Sequence, residues 1–304
     1  MNISSLLLNQ IIIMFILMGI GYILYKVGFI SDQGSKDIGK ILLYLVIPIV
    51  IINNFMIEFS AENVEALIHS TIISLICMVI AMIVSYVFFG KKDGIANFSS
   101  TFSNAGFIGI PLVQATLGSS SVFYISIMIV LINVLQWTYG VFIITNDSSV
   151  MSFKKIITNP IVISVIVGML VFVLQIRLPN TITTVFSHIT SLNTPLAMIV
   201  SGVYLAQSDL KAMLVNKKIY LVSLMRLVII PLITIIIFKF LPFGSLELKL
   251  AILITAACPV GSNVAIFAQA YNKDYHSAVE QVCMTTILCL ITLPIIIMLA
   301  TSII

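Results

Sequence analysis

Runs of about twenty apolar residues recur along this chain with short polar connections between them, so hydrocarbon must be the solvent for most of it. Composition agrees: 60% of residues are hydrophobic, 9% are charged and the mean hydropathy is +1.20. Soluble domains carry far more charge. Ten spans are predicted, at residues 6–25, 38–57, 66–89, 94–116, 121–144, 157–176, 186–206, 219–241, 246–270 and 279–302. The expected fold class is an all-α polytopic membrane protein, because a lipid-exposed backbone must satisfy its own N–H and C=O groups. The segments between spans are too short for a soluble domain.

The amino terminus, Met1-Asn-Ile-Ser-Ser, lacks the basic region of a secretory signal, and no small-residue cleavage motif follows it, so the first span is expected to be retained. Cys77, Cys258, Cys283 and Cys289 all fall inside apolar spans without a C-x-x-C pair. Packing is their expected role, and no metal or other cofactor is expected. Lys and Arg divide unevenly between alternate loops. With the amino terminus outside, the inner loops hold eleven (Lys26, Lys36, Lys40, Lys91, Lys92, Lys154, Lys155, Lys211, Lys217, Lys218 and Lys273) and the outer loops three (Arg177, Lys239 and Lys249). This bias predicts a multi-pass protein of the cell membrane with both termini outside. The acidic loop of Glu58, Glu62 and Glu65 fits an outer position, and the net charge of +4 follows from topology without a nucleic-acid partner.

Two apolar stretches break in the middle: Asn104-Ala-Gly-Phe-Ile-Gly-Ile-Pro111 and Cys258-Pro-Val-Gly-Ser-Asn263. A helix interrupted inside a bilayer leaves backbone groups unpaired unless they line a cavity or meet a ligand. Gly106 and Gly109 permit close backbone approach, and Pro111 removes a donor, so two half-helices are predicted there. Pro259, Gly261, Ser262 and Asn263 do the same at the second break, with Ser262 or Asn263 expected to cap the following half-helix. A half-helix N-terminus at mid-depth offers partial positive charge and free N–H groups to a carboxylate. Ser103, Asn104, Asn263 and Gln269 could add neutral hydrogen bonds. The alternative for each break is a kinked helix serving packing. Corresponding breaks in two halves favour a transport site.

An internal repeat is predicted from one offset. Gly21 and Gly168 lie 147 residues apart (168 minus 21), as do Pro48 and Pro195 (195 minus 48), and the same shift carries Pro111 to 258, one short of Pro259. Five spans per unit is an odd number, so residues 1–147 and 148–304 would form inverted repeats. The seam falls at Asn146, Asp147, Ser148 and Ser149, followed by Lys154 and Lys155.

The broken segments, the prolines at 48 and 195 and the ten-span plan resemble the auxin efflux carrier family, which includes bacterial malate and malonate permeases and plant PIN exporters. The resemblance covers the whole chain, except that residues 145–156 replace the long loop of some plant members. It implies an inverted-repeat fold with crossed discontinuous helices four and nine, like the sodium/proton antiporter NhaA. It places Asn104, Pro111, Pro259 and Asn263 at the crossing where substrate binds, although one asparagine precedes its proline by seven residues and the other follows by four. It further implies a transport part of spans three to five and eight to ten moving against a scaffold of spans one, two, six and seven, whose members often dimerise. A homodimer is open.

Among ionisable residues, Arg226 lies well inside a span and would attract an anionic substrate, steady the transport part, or snorkel toward the inner surface, about two turns away at Lys218. Glu280 is a proton-carrier candidate or a headgroup-level carboxylate at the start of a helix. His69, His188 and His276 lack metal-ligand spacing, and Asn53, Asn54, Asn133 and Gln136 would line a cavity or bridge helices. The resulting expectation is a secondary transporter moving a small organic anion, a carboxylate or dicarboxylate, by alternating access, proton-coupled or potential-driven. It is not expected to be an enzyme, since no catalytic pair or metal cluster is visible. A cation/proton exchanger of related fold, or a non-transporting receptor or scaffold, is the alternative.

Overall fold

A computed structural model describes residues 3–147, 149, 153–208 and 210–304. Met1 and Asn2 of the amino terminus and Ser148 of the predicted seam lie outside the described residues. Among those residues the chain is helical, and one isolated antiparallel bridge joins Ser103 to Val260.

In chain order the main helices are α1 (Ile3–Lys26), α2 (residues 32–54), α3 (Ala61–Phe89), α4 (Gly94–Thr101), α5 (Ala105–Leu117) and α6 (Ser119–Thr145). They continue as α7 (Pro160–Leu174), α8 (Asn180–Gln207), α9 (Lys217–Phe240), α10 (Leu246–Ala256), α11 (Asn263–Ala270) and α12 (Tyr275–Ile303). Side-chain caps set several starts: Ser60 Oγ accepts from Asn63 N, Asp93 from Ala96 N, Ser245 Oγ from Leu248 N and Asp274 from Ser277 N.

Six of the helices, α1, α3, α6, α8, α9 and α12, are long and apolar enough to cross a bilayer. The other four predicted spans differ in instructive ways. Span 38–57 falls in α2, which begins six residues earlier at Asp32 because Ser31 caps it, and so carries Asp32, Lys36, Asp37 and Lys40 in its first turns. Span 157–176 becomes α7, whose fifteen residues reach about 22 Å. Spans 94–116 and 246–270 divide into α4 with α5 and α10 with α11.

Widened π-helical turns interrupt α2 at Leu42–Val46, α5 at Ala105–Gly109, α6 at Gln136–Gly140 and α9 at Met225–Ile229. Three of these directly precede a proline: Pro48, Pro111 and Pro231. Proline lacks the N–H for its turn and crowds the carbonyl four residues back, and a π turn absorbs both defects without breaking the helix.

Glycine contacts bring the helices close. A Cβ on Gly21 would sit 2.3 Å from Ile199 O, and one on Gly202 would sit 2.0 Å from Met18 O, so α1 and α8 meet backbone to backbone. Gly168 of α7 packs on the Phe55 ring at the end of α2. The helices α1, α2, α7 and α8 form one packed group, and α3–α6 with α9–α12 form another.

Polar ties between helices concentrate within the second group. Lys218 Nζ meets Asp93 Oδ2 at 2.6 Å, Ser121 Oγ donates to Glu247 Oε1 at 2.5 Å, and Tyr139 Oη donates to Asn97 Oδ1 at 3.1 Å. Lys249, predicted to sit in an outer loop, is instead buried, its Nζ donating to Phe238 O and Leu241 O at the end of α9. Its long stem lets the charge satisfy carbonyls that a helix end leaves unpaired. Across the contact between the two groups, Ser208 Oγ donates to Cys283 Sγ at 3.1 Å near the α8–α9 connection. A cavity of about 20 Å³ lies in that contact, lined by Ile11, Met14 and Met18 of α1, Ile108 and Leu112 of α5 and neighbours from α8 and α12.

Candidate functional site

The extended residues of the two breaks pair with each other. Asn104 N donates to Pro259 O at 2.8 Å, and Gly261 N donates to Phe102 O at 3.0 Å, on either side of the Ser103–Val260 bridge. Backbone donors that each break strips from its own helix are thus partly satisfied by the other break. Gly261 makes this approach possible, since a Cβ there would lie 3.1 Å from Ser103 O. Val260 N finds Thr285 Oγ1 of α12 at 3.1 Å.

At the crossing, Ser103 of the first break faces Val260 of the second. Pro259 lies in its break, whereas Pro111 is the second residue of the α-helical part of α5. Backbone hydrogen bonding sets this register.

Four half-helix ends meet here. Both carbonyl ends are held by Arg226, which is 1% exposed: its NH1 donates to Ser100 O at 3.1 Å and Thr101 O at 3.0 Å, and its Nε donates to Cys258 O at 3.2 Å. One cation therefore answers the negative ends of α4 and α10 together. Arg226 does not snorkel, and it borders neither of the polar cavities described below.

Both amino ends border one pocket instead. Asn104, Ala105 and Gly106 at the start of α5, and Gly261, Ser262 and Asn263 at the start of α11, line a space of about 40 Å³ together with Ser103, Asn133 and Gln136. The predicted side-chain caps do not form. Ser262 Oγ accepts from Asn104 Nδ2 at 3.3 Å, and Asn263 Nδ2 donates to Gln136 Oε1 at 2.8 Å, so these side chains bridge between helices. Neither α5 nor α11 has a side-chain cap, which leaves both positive ends facing the pocket. Ser103 Oγ is buried without a partner beside them.

Beyond the pocket lies a vestibule of about 1000 Å³, lined by Tyr25, Asp32, Lys36, Lys40, Tyr204, Gln207, Tyr275 and His276 among others. Leu43, Phe107, Ser262 and Asn263 border both spaces and form the narrow wall between them. Gln269 and Glu280, singled out in the sequence, line the vestibule and not the crossing pocket. Asp32 accepts from Tyr25 Oη at 2.8 Å and from Gln207 Nε2 at 2.6 Å, tying α1, α2 and α8 at the vestibule rim.

The remaining predicted residues serve the crossing indirectly. Gly109 packs against Thr255 and Cys258, Pro111 is buried in α5, and Pro259 supplies a carbonyl to Asn104 and a wall to the apolar cavity. Asn54 Nδ2 donates to Val50 O in its own helix, and His188 lies on exposed α8 surface. Gln136 proves more central than its sequence suggested, and its signal is an amide in an otherwise apolar run. Thr285 carries no comparable signal, because threonines in membrane helices commonly bond their own backbone, as it also does to Gln281 O.

These features define a multi-pass helical membrane protein built around two broken helices that cross beside a polar pocket. A family model described as a membrane transport protein, the auxin efflux carrier family domain, matches residues 6–151 and 145–297, and the chain belongs to that family. No curated protein matches it.

Proposed function

We propose that this protein is a secondary transporter that moves a small organic anion across the cell membrane by alternating access. The observation that carries this reading is the convergence of two uncapped helix amino ends on one polar pocket that, among the described residues, no acidic side chain lines. Such ends attract carboxylate oxygens, and the neighbouring amides of Asn104, Gln136 and Asn263 would orient them. Membership of a family of membrane transport proteins supports a small-molecule substrate and a lipid environment.

In this reading the chain makes ten crossings as two inverted five-span units, with both termini outside and the vestibule facing the cytoplasm. The lysines at the vestibule rim, Lys36 and Lys40, support that orientation. Transport would move α3–α6 and α9–α12 against a scaffold of α1, α2, α7 and α8. The concentration of polar ties within the first of these groups favours its motion as a body. Arg226 steadies the moving part. Glu280, beside the vestibule, is the proton-carrier candidate if the cycle is proton-coupled, with membrane potential as the other driving force.

A cation/proton exchanger would need carboxylates at the crossing, where the lining is neutral. The test is uptake of labelled carboxylates into proteoliposomes with and without a pH gradient. Asn104→Asp sets a negative charge beside both helix ends and should reduce anion uptake at least about tenfold while folding is retained. Unchanged uptake by that variant would sink the site assignment.

A further inference from the structure

Charge matching at the crossing points to a narrower substrate class. Each half-helix end carries about half a unit of charge, so the carbonyl ends of α4 and α10 together present about one negative unit. Arg226 bonds to both of them and is thereby occupied. The amino ends of α5 and α11 together present about one positive unit to the pocket. Among the described residues no Lys or Arg lines that pocket, and Lys36 and Lys40 stand in the vestibule beyond the wall formed by Phe107 and its neighbours.

Among the described residues the rest of the lining holds no second positive charge, and Ile47, Ile129, Ile132 and Ile161 make much of it apolar. A second carboxylate there would be stripped of water without gaining a cationic partner. Ser103 Oγ, buried and without a partner, offers a hydroxyl at the helix-end side, where the first carboxylate would lie. The space is also small. Its volume of about 40 Å³ corresponds to roughly three waters, the size of a carboxylate group, so any apolar body must be short and seat itself by small shifts of the lining side chains.

We propose that the crossing pocket binds singly charged carboxylates with a short apolar body in preference to dicarboxylates; the proposal rests on the transport site put forward above. One carboxylate balances the two amino ends, and its body lies among the isoleucines. A dianion leaves one charge uncompensated in a low-dielectric site.

The chain's one tryptophan supplies the readout. Trp137 follows Gln136 and packs on Phe267 of α11 at 4.6 Å, so its fluorescence should respond to occupancy. Purified protein in nanodiscs is titrated at neutral pH with butyrate, monomethyl succinate, succinate and malonate, and calorimetry supplies an independent Kd. Butyrate and monomethyl succinate should bind comparably, with succinate and malonate at least about tenfold weaker. Ile132→Lys, or Asn133→Lys if the first variant folds poorly, should bring succinate to within a few-fold of butyrate. Succinate or malonate binding as tightly as butyrate in the unaltered protein overturns the charge matching, while leaving the site in place if Asn104→Asp still abolishes binding. If no carboxylate saturates, or Asn104→Asp binds all four as before, the site itself is lost and the preference with it.

Discussion

Arg226 illustrates what a single residue discloses in sequence and what it withholds. A guanidinium in an apolar run demands a partner, and that much is legible. Its partners are backbone carbonyls of Ser100, Thr101 and Cys258, which have no side-chain signature and come together only when the two breaks cross. Replacement by leucine strands three buried carbonyls and two helix ends. Arg226→Leu should therefore cost about 3 kcal/mol or more in stability, read as a large drop in the thermal midpoint of detergent-solubilised protein. Arg226→Lys should recover only part of it, since an ammonium cannot span both helix ends with a planar fork. The asparagines were legible as polar groups at breaks. That Asn104 would bond Ser262, and Asn263 would bond Gln136, depends on the crossing register and could not be read from either segment alone.

At the scale of helices, glycine and proline carried most of the information. The breaks between α4 and α5 and between α10 and α11 were readable because Gly and Pro weaken a helix locally. The π turns before Pro48, Pro111 and Pro231 were not, because a proline in a long apolar run signals a kink, a bulge or a break equally well. Span ends were misjudged where polar turns extend a helix beyond its apolar stretch, as Ser31 does for α2. Gly21 drew attention through its repeat offset to Gly168, yet its contact is with Ile199 in α8, beside Gly202. Gly202→Leu should force α1 and α8 apart and destabilise the protein by about 2 kcal/mol or more. Gly19→Leu, at a position with open space around its Cβ, is the matched control and should leave the thermal midpoint within a few degrees.

For the molecule as a whole, composition and loop charge made a multi-pass membrane protein legible. The proposed division into a scaffold and a moving part is an implication of family resemblance, because periodicity says which face of a helix is buried and not which neighbour buries it. If the groups move past each other, a covalent link across their contact should stop the cycle. Cysteines at Met14 of α1 and Leu112 of α5 line the same small cavity and should form an oxidation-dependent crosslink. The crosslinked protein should retain ligand-induced change in Trp137 fluorescence and lose uptake, and thiol reduction should restore it. Full uptake after complete crosslinking would exclude relative motion of those helices.

The small cavity at that contact has a further consequence. It lies beside the middle turns of α1, and its walls are mainly Ile, Met, Leu and Phe side chains. At about 20 Å³ it has room for little more than one water, and such a lining offers that water few partners, so it stays dry. Side chains along that stretch can exchange neighbours without first giving up a hydrogen bond, so the seam there resists sliding by shape alone.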